Sequence, residues 1–162
     1  MAFAWNGEKQ DNFDVYVMAT RSGTPLRLTT NPADDLSPAW SPDGRMLAYL
    51  RRLNDDRAEL RIVAATGGPE HKLAETKNLD TLISRKFWSV AWSPDGHWVA
   101  VSGREPDDFY EHIYLFSLTG EKRQLTSPPR GTGFNSAALE LLQQISEVGQ
   151  EIHLRSSCAT AR

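Results

Sequence analysis

Ser37-Pro38-Ala39-Trp40-Ser41-Pro42-Asp43-Gly44 recurs as Ser89-Val90-Ala91-Trp92-Ser93-Pro94-Asp95-Gly96, at an offset of 52 residues. Each copy runs into an alternating apolar stretch, Met46-Leu47-Ala48-Tyr49-Leu50 and Trp98-Val99-Ala100-Val101-Ser102. A second element occurs three times, as Asp14-Val15-Tyr16-Val17-Met18, Glu59-Leu60-Arg61-Ile62-Val63 and His112-Ile113-Tyr114-Leu115-Phe116. A third follows each of these after Gly23, Gly68 or Gly120: Leu26-Arg27-Leu28-Thr29, His71-Lys72-Leu73-Ala74 and Arg123-Gln124-Leu125-Thr126. Short runs rich in β-branched and aromatic residues, set between Gly, Pro, Asp and Asn, read as strands. Four strands in about 50 residues fit the period of a propeller blade and exceed that of a leucine-rich or ankyrin repeat.

The Ser-Pro-Asp-Gly turn has a physical reason at each position. Pro42 and Pro94 preset φ at the second turn position. Asp43 and Asp95 can bond nearby backbone amides, and Gly44 and Gly96 accept the positive φ of a hairpin return. Trp40 and Trp92 end the preceding strand, where they are expected to wedge between blades.

The template predicts an all-β chain: about three four-stranded antiparallel blades of a propeller, forming an open fragment, with a short helical or irregular C-terminal tail. Residues 2–5, 14–20 and 26–29 are the second, third and fourth strands of a first blade that lacks its first strand. Blade two runs over 37–75 and blade three over 87–126, which places the propeller in 1–130 and an atypical tail in 131–162. Ala138, Leu141, Leu142, Ile145 and Val148 fall on one helical face, so the tail is read as helical around 136–149. Two readings of that segment stand open. It is a helix covering an open sheet edge, or the residues after about Gly133 come from a shifted frame, since a one-base shift permits Pro-Arg-Trp-Ser across 137–140.

Trp-Ser-Pro-Asp-Gly followed by an alternating strand resembles the WD40-like (PD40) repeat of TolB-type β-propellers, over about residues 2–130. That resemblance implies a ring of six to eight blades in complete relatives, binding to protein partners, and a periplasmic location. It also implies other hosts of the same repeat: the accessory or sensor propellers of bacterial protein kinases, winged-helix regulators and prolyl-oligopeptidase-type peptidases. Three blades cannot close a ring, so self-association through open blade edges is expected.

Composition narrows the function further. The 162 residues carry 18 Lys+Arg and 21 Asp+Glu, a net charge of −3, which gives no electrostatic reason to expect nucleic acid. No apolar run suits a membrane span, and the start of the chain does not read as a signal peptide; the product of this sequence alone is therefore expected in the cytoplasm. The single cysteine, Cys158, excludes an internal disulfide framework and a cysteine-based zinc site. No Gly-x-Ser-x-Gly elbow, Walker A motif or His-Glu-x-x-His occurs, so the expectation is a non-enzymatic chain with no cofactor and no metal.

The remaining candidates are weaker. Asp34-Asp35, Asp55-Asp56 and Asp107-Asp108 read as solvated loop pairs; Asp55, Asp56, Asp107 and Asp108 hold equivalent places and are a candidate binding rim. Arg51-Arg52 and Arg104 are expected to neutralise those carboxylates. His112 opens a strand and is expected to make an edge contact, and Trp5, Trp88 and Trp98 are expected in interblade or face packing.

Overall fold

The computed structural model describes residues 1–8, 10–19, 23–54, 57–77, 90–103 and 112–126. Three antiparallel sheets follow one another along the chain. The first holds β1 (Ala2–Trp5), β2 (Asp14–Val17) and β3 (Leu26–Arg27), in spatial order β1-β2-β3. The second is a four-stranded meander of β4 (Asp35–Trp40), β5 (Met46–Arg52), β6 (Arg57–Ala64) and β7 (His71–Lys77). The third repeats it with β8 (Val90–Trp92), β9 (Trp98–Gly103), β10 (His112–Ser117) and β11 (Lys122–Gln124). No helix occurs among the described residues.

The sequence template and the structure agree element by element, with shorter ends: β2 stops at Val17 and β3 at Arg27, while the second blade extends from Asp35 to Lys77. The first blade has the second, third and fourth strands of the template. The expected tail helix, the 131–162 segment, Trp88, Arg104 and the pairs Asp55-Asp56 and Asp107-Asp108 lie outside the described residues.

Alternation along the strands divides the core between the two faces of the middle blade. On one face, Ala48, Leu50, Ala58, Leu60 and Ile62 meet Val99, Val101, Tyr114 and Phe116 of the third blade. On the other, Leu47, Tyr49 and Val63 meet Val15 and Leu28 of the first. The two tryptophans enter these interfaces from equivalent places. Trp92 is only 4% exposed and packs into the interface between blades two and three. Trp40, half-buried, joins the one between blades one and two. Each faces the preceding blade, as a wedge should.

Two one-residue register shifts break the second blade. The shift between Leu36 and Ala39 surrounds Ser37, at φ 55°, and Pro38, which has no N–H for the ladder. The other lies between Leu60 and Arg61 on β6.

Candidate functional site

The repeated motif residues form a closed hydrogen-bonded turn, twice. Ser41 Oγ–H donates to Asp43 Oδ1 (2.6 Å), while its oxygen accepts the Met46 N–H (2.9 Å). Asp43 Oδ1 also accepts from the Arg45 N–H (3.0 Å), and the Gly44 N–H donates to the Ser41 carbonyl (2.9 Å). Ser93, Asp95, His97, Trp98 and Gly96 reproduce every bond at 2.5–3.0 Å. Gly44 and Gly96 sit at φ 70° and 72°, the left-handed region that a side chain opposes. The hydrogen bond from each serine holds Asp43 and Asp95 below the usual carboxylate range, aided by the amide two residues on. These serines are thus structural: their hydroxyls are committed to the turn.

A second device repeats in the first and third blades. Thr29 Oγ1 accepts the Val15 N–H (2.9 Å), and Thr126 Oγ1 accepts the Ile113 N–H (2.9 Å). Each hydroxyl replaces a ladder bond just where the fourth strand leaves the sheet. In the middle blade the equivalent residue is Ala74, which has no hydroxyl, and β7 keeps pairing with β6 out to Lys77. The recurring Leu-Thr pair was the available signal.

Arg51 and Arg52 neutralise carboxylates as expected, whereas the acidic pair Asp34-Asp35 falls otherwise than expected. Asp34 and Asp35 are not a solvated loop pair: Asp35 opens β4 at 0% exposure, and Asp34 pairs with Arg52. Arg51, also buried, places its Nε and one terminal nitrogen 2.8 Å from the two Asp35 oxygens, and the same terminal nitrogen lies 2.7 Å from Glu70 Oε2. A local spacing reading could not find these pairs, because strand pairing, not chain proximity, joins residue 35 to residue 51. Arg61 continues the network to Glu59 (2.5 Å) and Glu70 (3.3 Å), and Lys72 joins Glu59 (2.9 Å) to Glu75 (3.0 Å). Burial pushes the Asp35 carboxyl up, against the two Arg51 hydrogen bonds, and burial together with Glu70 pushes the Tyr49 hydroxyl up.

His112 opens β10 and meets the edge strand β11, with Gln124 Nε2 3.2 Å from its Nδ1. It is buried, and its Nδ1 lies 3.0 Å from the Thr126 carbonyl. Trp98 stacks beneath the Arg123 guanidinium (4.5 Å), while Trp5 lies on the open face of the first blade with Phe3 and Tyr16. That face carries a cavity of about 340 Å³, lined in part by Trp5, Glu8, Asp11, Asp14, Tyr16 and Arg27. Asp14 within it is buried and paired with Arg27. Among the described residues, no group of three or more His, Cys, Asp or Glu could hold a metal ion, and no helix is long and apolar enough to cross a membrane.

Consecutive four-stranded meanders stacked face to face around tryptophan wedges define a β-propeller, open over the described residues. Its fold is that of part of a TolB-like propeller. The chain superimposes on TolB from Acinetobacter baumannii with a TM-score of 0.61 at 18% identity, over 78% of this chain and 30% of that one. It superimposes on the acylaminoacyl peptidase of Pyrococcus horikoshii with a TM-score of 0.53 at 17% identity, over 81% and 24%. In sequence it is 29% identical over 110 residues to the Tol-Pal system protein TolB of Desulfosudis oleivorans, and 29% identical over 97 residues to the uncharacterized peptidase YuxL of Bacillus subtilis. Those stretches cover 66% and 59% of this chain but only 22% and 14% of the relatives. No family model matches the chain.

Proposed function

We propose that the chain is a non-catalytic protein-interaction module of the TolB-like propeller type. The observation that carries this reading is where its polar chemistry goes. Ser41 and Ser93 close turns, His112 is buried against Thr126, and Arg51, Arg61 and Lys72 are joined to carboxylates of the blade they stand on. Exposed large apolar side chains among the described residues are Met1, Trp5, Phe13 and Leu26 on the first blade, Leu53 at the end of a hairpin of the second, and Leu118 and Leu125 on the third. A rigid frame with apolar and loop contacts suits the capture of a protein segment. The carboxylates Asp55, Asp56, Asp107 and Asp108 belong to the same proposal as a rim, self-association through blade edges as its alternative partner, and a periplasmic setting as its compartment.

A second reading, the accessory propeller of a peptidase, is favoured by the similarity to YuxL and by the shared fold of the acylaminoacyl peptidase. The test is photocrosslinking from residue 53 in cells, together with an aminoacyl-p-nitroanilide assay of the purified chain. A discrete crosslinked protein and no product release are expected. Product release by the chain alone would remove the non-catalytic reading.

A further inference from the structure

Asn or Asp precedes Gly at three steps of the chain: Asn6-Gly7, Asp43-Gly44 and Asp95-Gly96. At such a step the glycine amide nitrogen has access to the side-chain carbonyl carbon before it, because glycine carries no side chain to block the approach. All three glycines hold the same left-handed backbone, at φ 66°, 70° and 72°. Neither local sequence nor local backbone separates Gly7 from the other two.

Hydrogen bonding separates them. The Gly44 N–H donates to the Ser41 carbonyl and the Gly96 N–H to the Ser93 carbonyl, both at 2.9 Å. Asp43 Oδ1 is held by the Ser41 hydroxyl and the Arg45 N–H, and Asp95 Oδ1 by the Ser93 hydroxyl and the His97 N–H. Nucleophile and electrophile are thus both fixed in the two turns. Asn6 and Gly7 lie past the end of β1, in the loop to β2. Among the described residues, none bonds the Asn6 carboxamide or the Gly7 N–H. Other asparagines differ. The Asn12 carboxamide donates to the Asn31 carbonyl (2.9 Å), and Asn31 Oδ1 accepts the Ala33 N–H (2.9 Å). Asn31 also precedes Pro32, which has no N–H to give up.

We propose that Asn6-Gly7 is a site of spontaneous modification, where asparagine becomes isoaspartate and aspartate through a succinimide, and that the fold confines this chemistry to that step. Hydroxide takes the Gly7 amide proton, and the nitrogen attacks Asn6 Cγ. The new N–Cγ bond closes a five-membered ring, and the Cγ–Nδ2 bond breaks, releasing ammonia. Water then opens the ring at either carbonyl. Opening at Cγ leaves aspartate, and opening at the backbone carbonyl leaves isoaspartate, whose chain runs through Cβ and Cγ. Either product sets a carboxylate beside Glu8, Asp11 and Asp14 around the cavity of the first blade. The isoaspartyl form also adds a methylene to the loop whose Asn12 and Phe13 bond residues 31, 34 and 35.

The test incubates the whole chain in warm, mildly alkaline buffer, folded and in guanidinium chloride, and maps isoaspartate by tryptic peptide mass spectrometry. Cleavage after Lys9 isolates Asn6 as the one asparagine of residues 1–9, while Asp43 falls in residues 28–45 and Asp95 in 87–104. Each site is compared with itself in the unfolded chain. Folding should change the rate at Asn6 by less than about threefold and slow Asp43 and Asp95 by about tenfold or more. Asn6→Gln should remove the product from residues 1–9. Should that variant fail to fold, the folded and unfolded rates of the unaltered chain carry the test. Slowing at Asn6 as large as at the two aspartates, unfolded-like rates at Asp43 or Asp95 in the folded chain, or aspartate at position 6 without isoaspartate overturns the proposal.

Discussion

The indole Nε1–H of Trp92 donates to the carbonyl oxygen of Ala39 at 3.1 Å, across the boundary between the second and third blades. One side chain thus couples two sheets by apolar burial and by a directed bond to the first strand of its neighbour. Its counterpart Trp40 faces a first blade of three strands and is less deeply buried. Trp92→Ala should destabilise the chain by about 3–5 kcal/mol in denaturant titration, and Trp92→Phe by about 1 kcal/mol. Trp40→Ala should cost less than Trp92→Ala. Equal losses at the two positions would contradict the difference in burial, and a loss near zero at Trp92 would refute the wedge assignment.

The Asp35–Arg51 pair makes a different prediction. Both groups are buried, and Arg51 also meets Glu70. Removing the guanidinium leaves a buried carboxylate uncompensated, so Arg51→Met should cost about 3–5 kcal/mol. Adding Asp35→Leu to Arg51→Met should recover a large part of that loss. A double-mutant cycle by urea unfolding measures the coupling, and additive losses would contradict the pair.

Thr29 and Thr126 each accept a third-strand amide through Oγ1. Thr→Val keeps the shape and deletes the acceptor, so each substitution should cost about 1–2 kcal/mol. Amide exchange should quicken at Val15 in Thr29→Val and at Ile113 in Thr126→Val. The same exchange at Leu60, which pairs with Ala74 by backbone alone, should not change in either variant.

Acid should act on the turns. Asp43 and Asp95 titrate below the ordinary carboxylate range because of the Ser41 and Ser93 hydroxyls. Glu59 does so because the Lys72 and Arg61 hydrogen bonds outweigh its burial. A lowered folded-state pKa gives stability that is full above the unfolded value, near 4, and fades as pH falls through the folded value. Asp35, raised by burial, runs the other way and offsets part of the loss. Chain stability by thermal melt should therefore fall below about pH 4. The pH dependence should be shallower in Ser41→Ala/Ser93→Ala, in which the aspartates lose the main cause of their shift.

The blades were legible because the signal that makes them is local and repeated. Strand alternation, the Pro and Gly of the turns and the tryptophan before them lie within a few residues of one another, and the copies confirm each other. The ion-pair network was not legible, because β4 and β5 run antiparallel and bring Asp35 beside Arg51 only once the hairpin has formed. Sequence neighbours such as Asp34 and Asp35 drew an expectation of solvated loops, whereas burial at the start of a strand decided their partners. The depth of His112 was likewise not legible: opening a strand says nothing about depth within the stack.

The amino-acid order by itself determined that this chain is a series of antiparallel meanders, where their turns fall, and which positions alternate between two faces. Only the tertiary structure decided which face meets which blade and which charges are paired in the interior. The physical reason is range: turn chemistry and alternation act between residues a few positions apart. Face, pairing and depth are set by contacts between sheets whose strands are far apart in the chain.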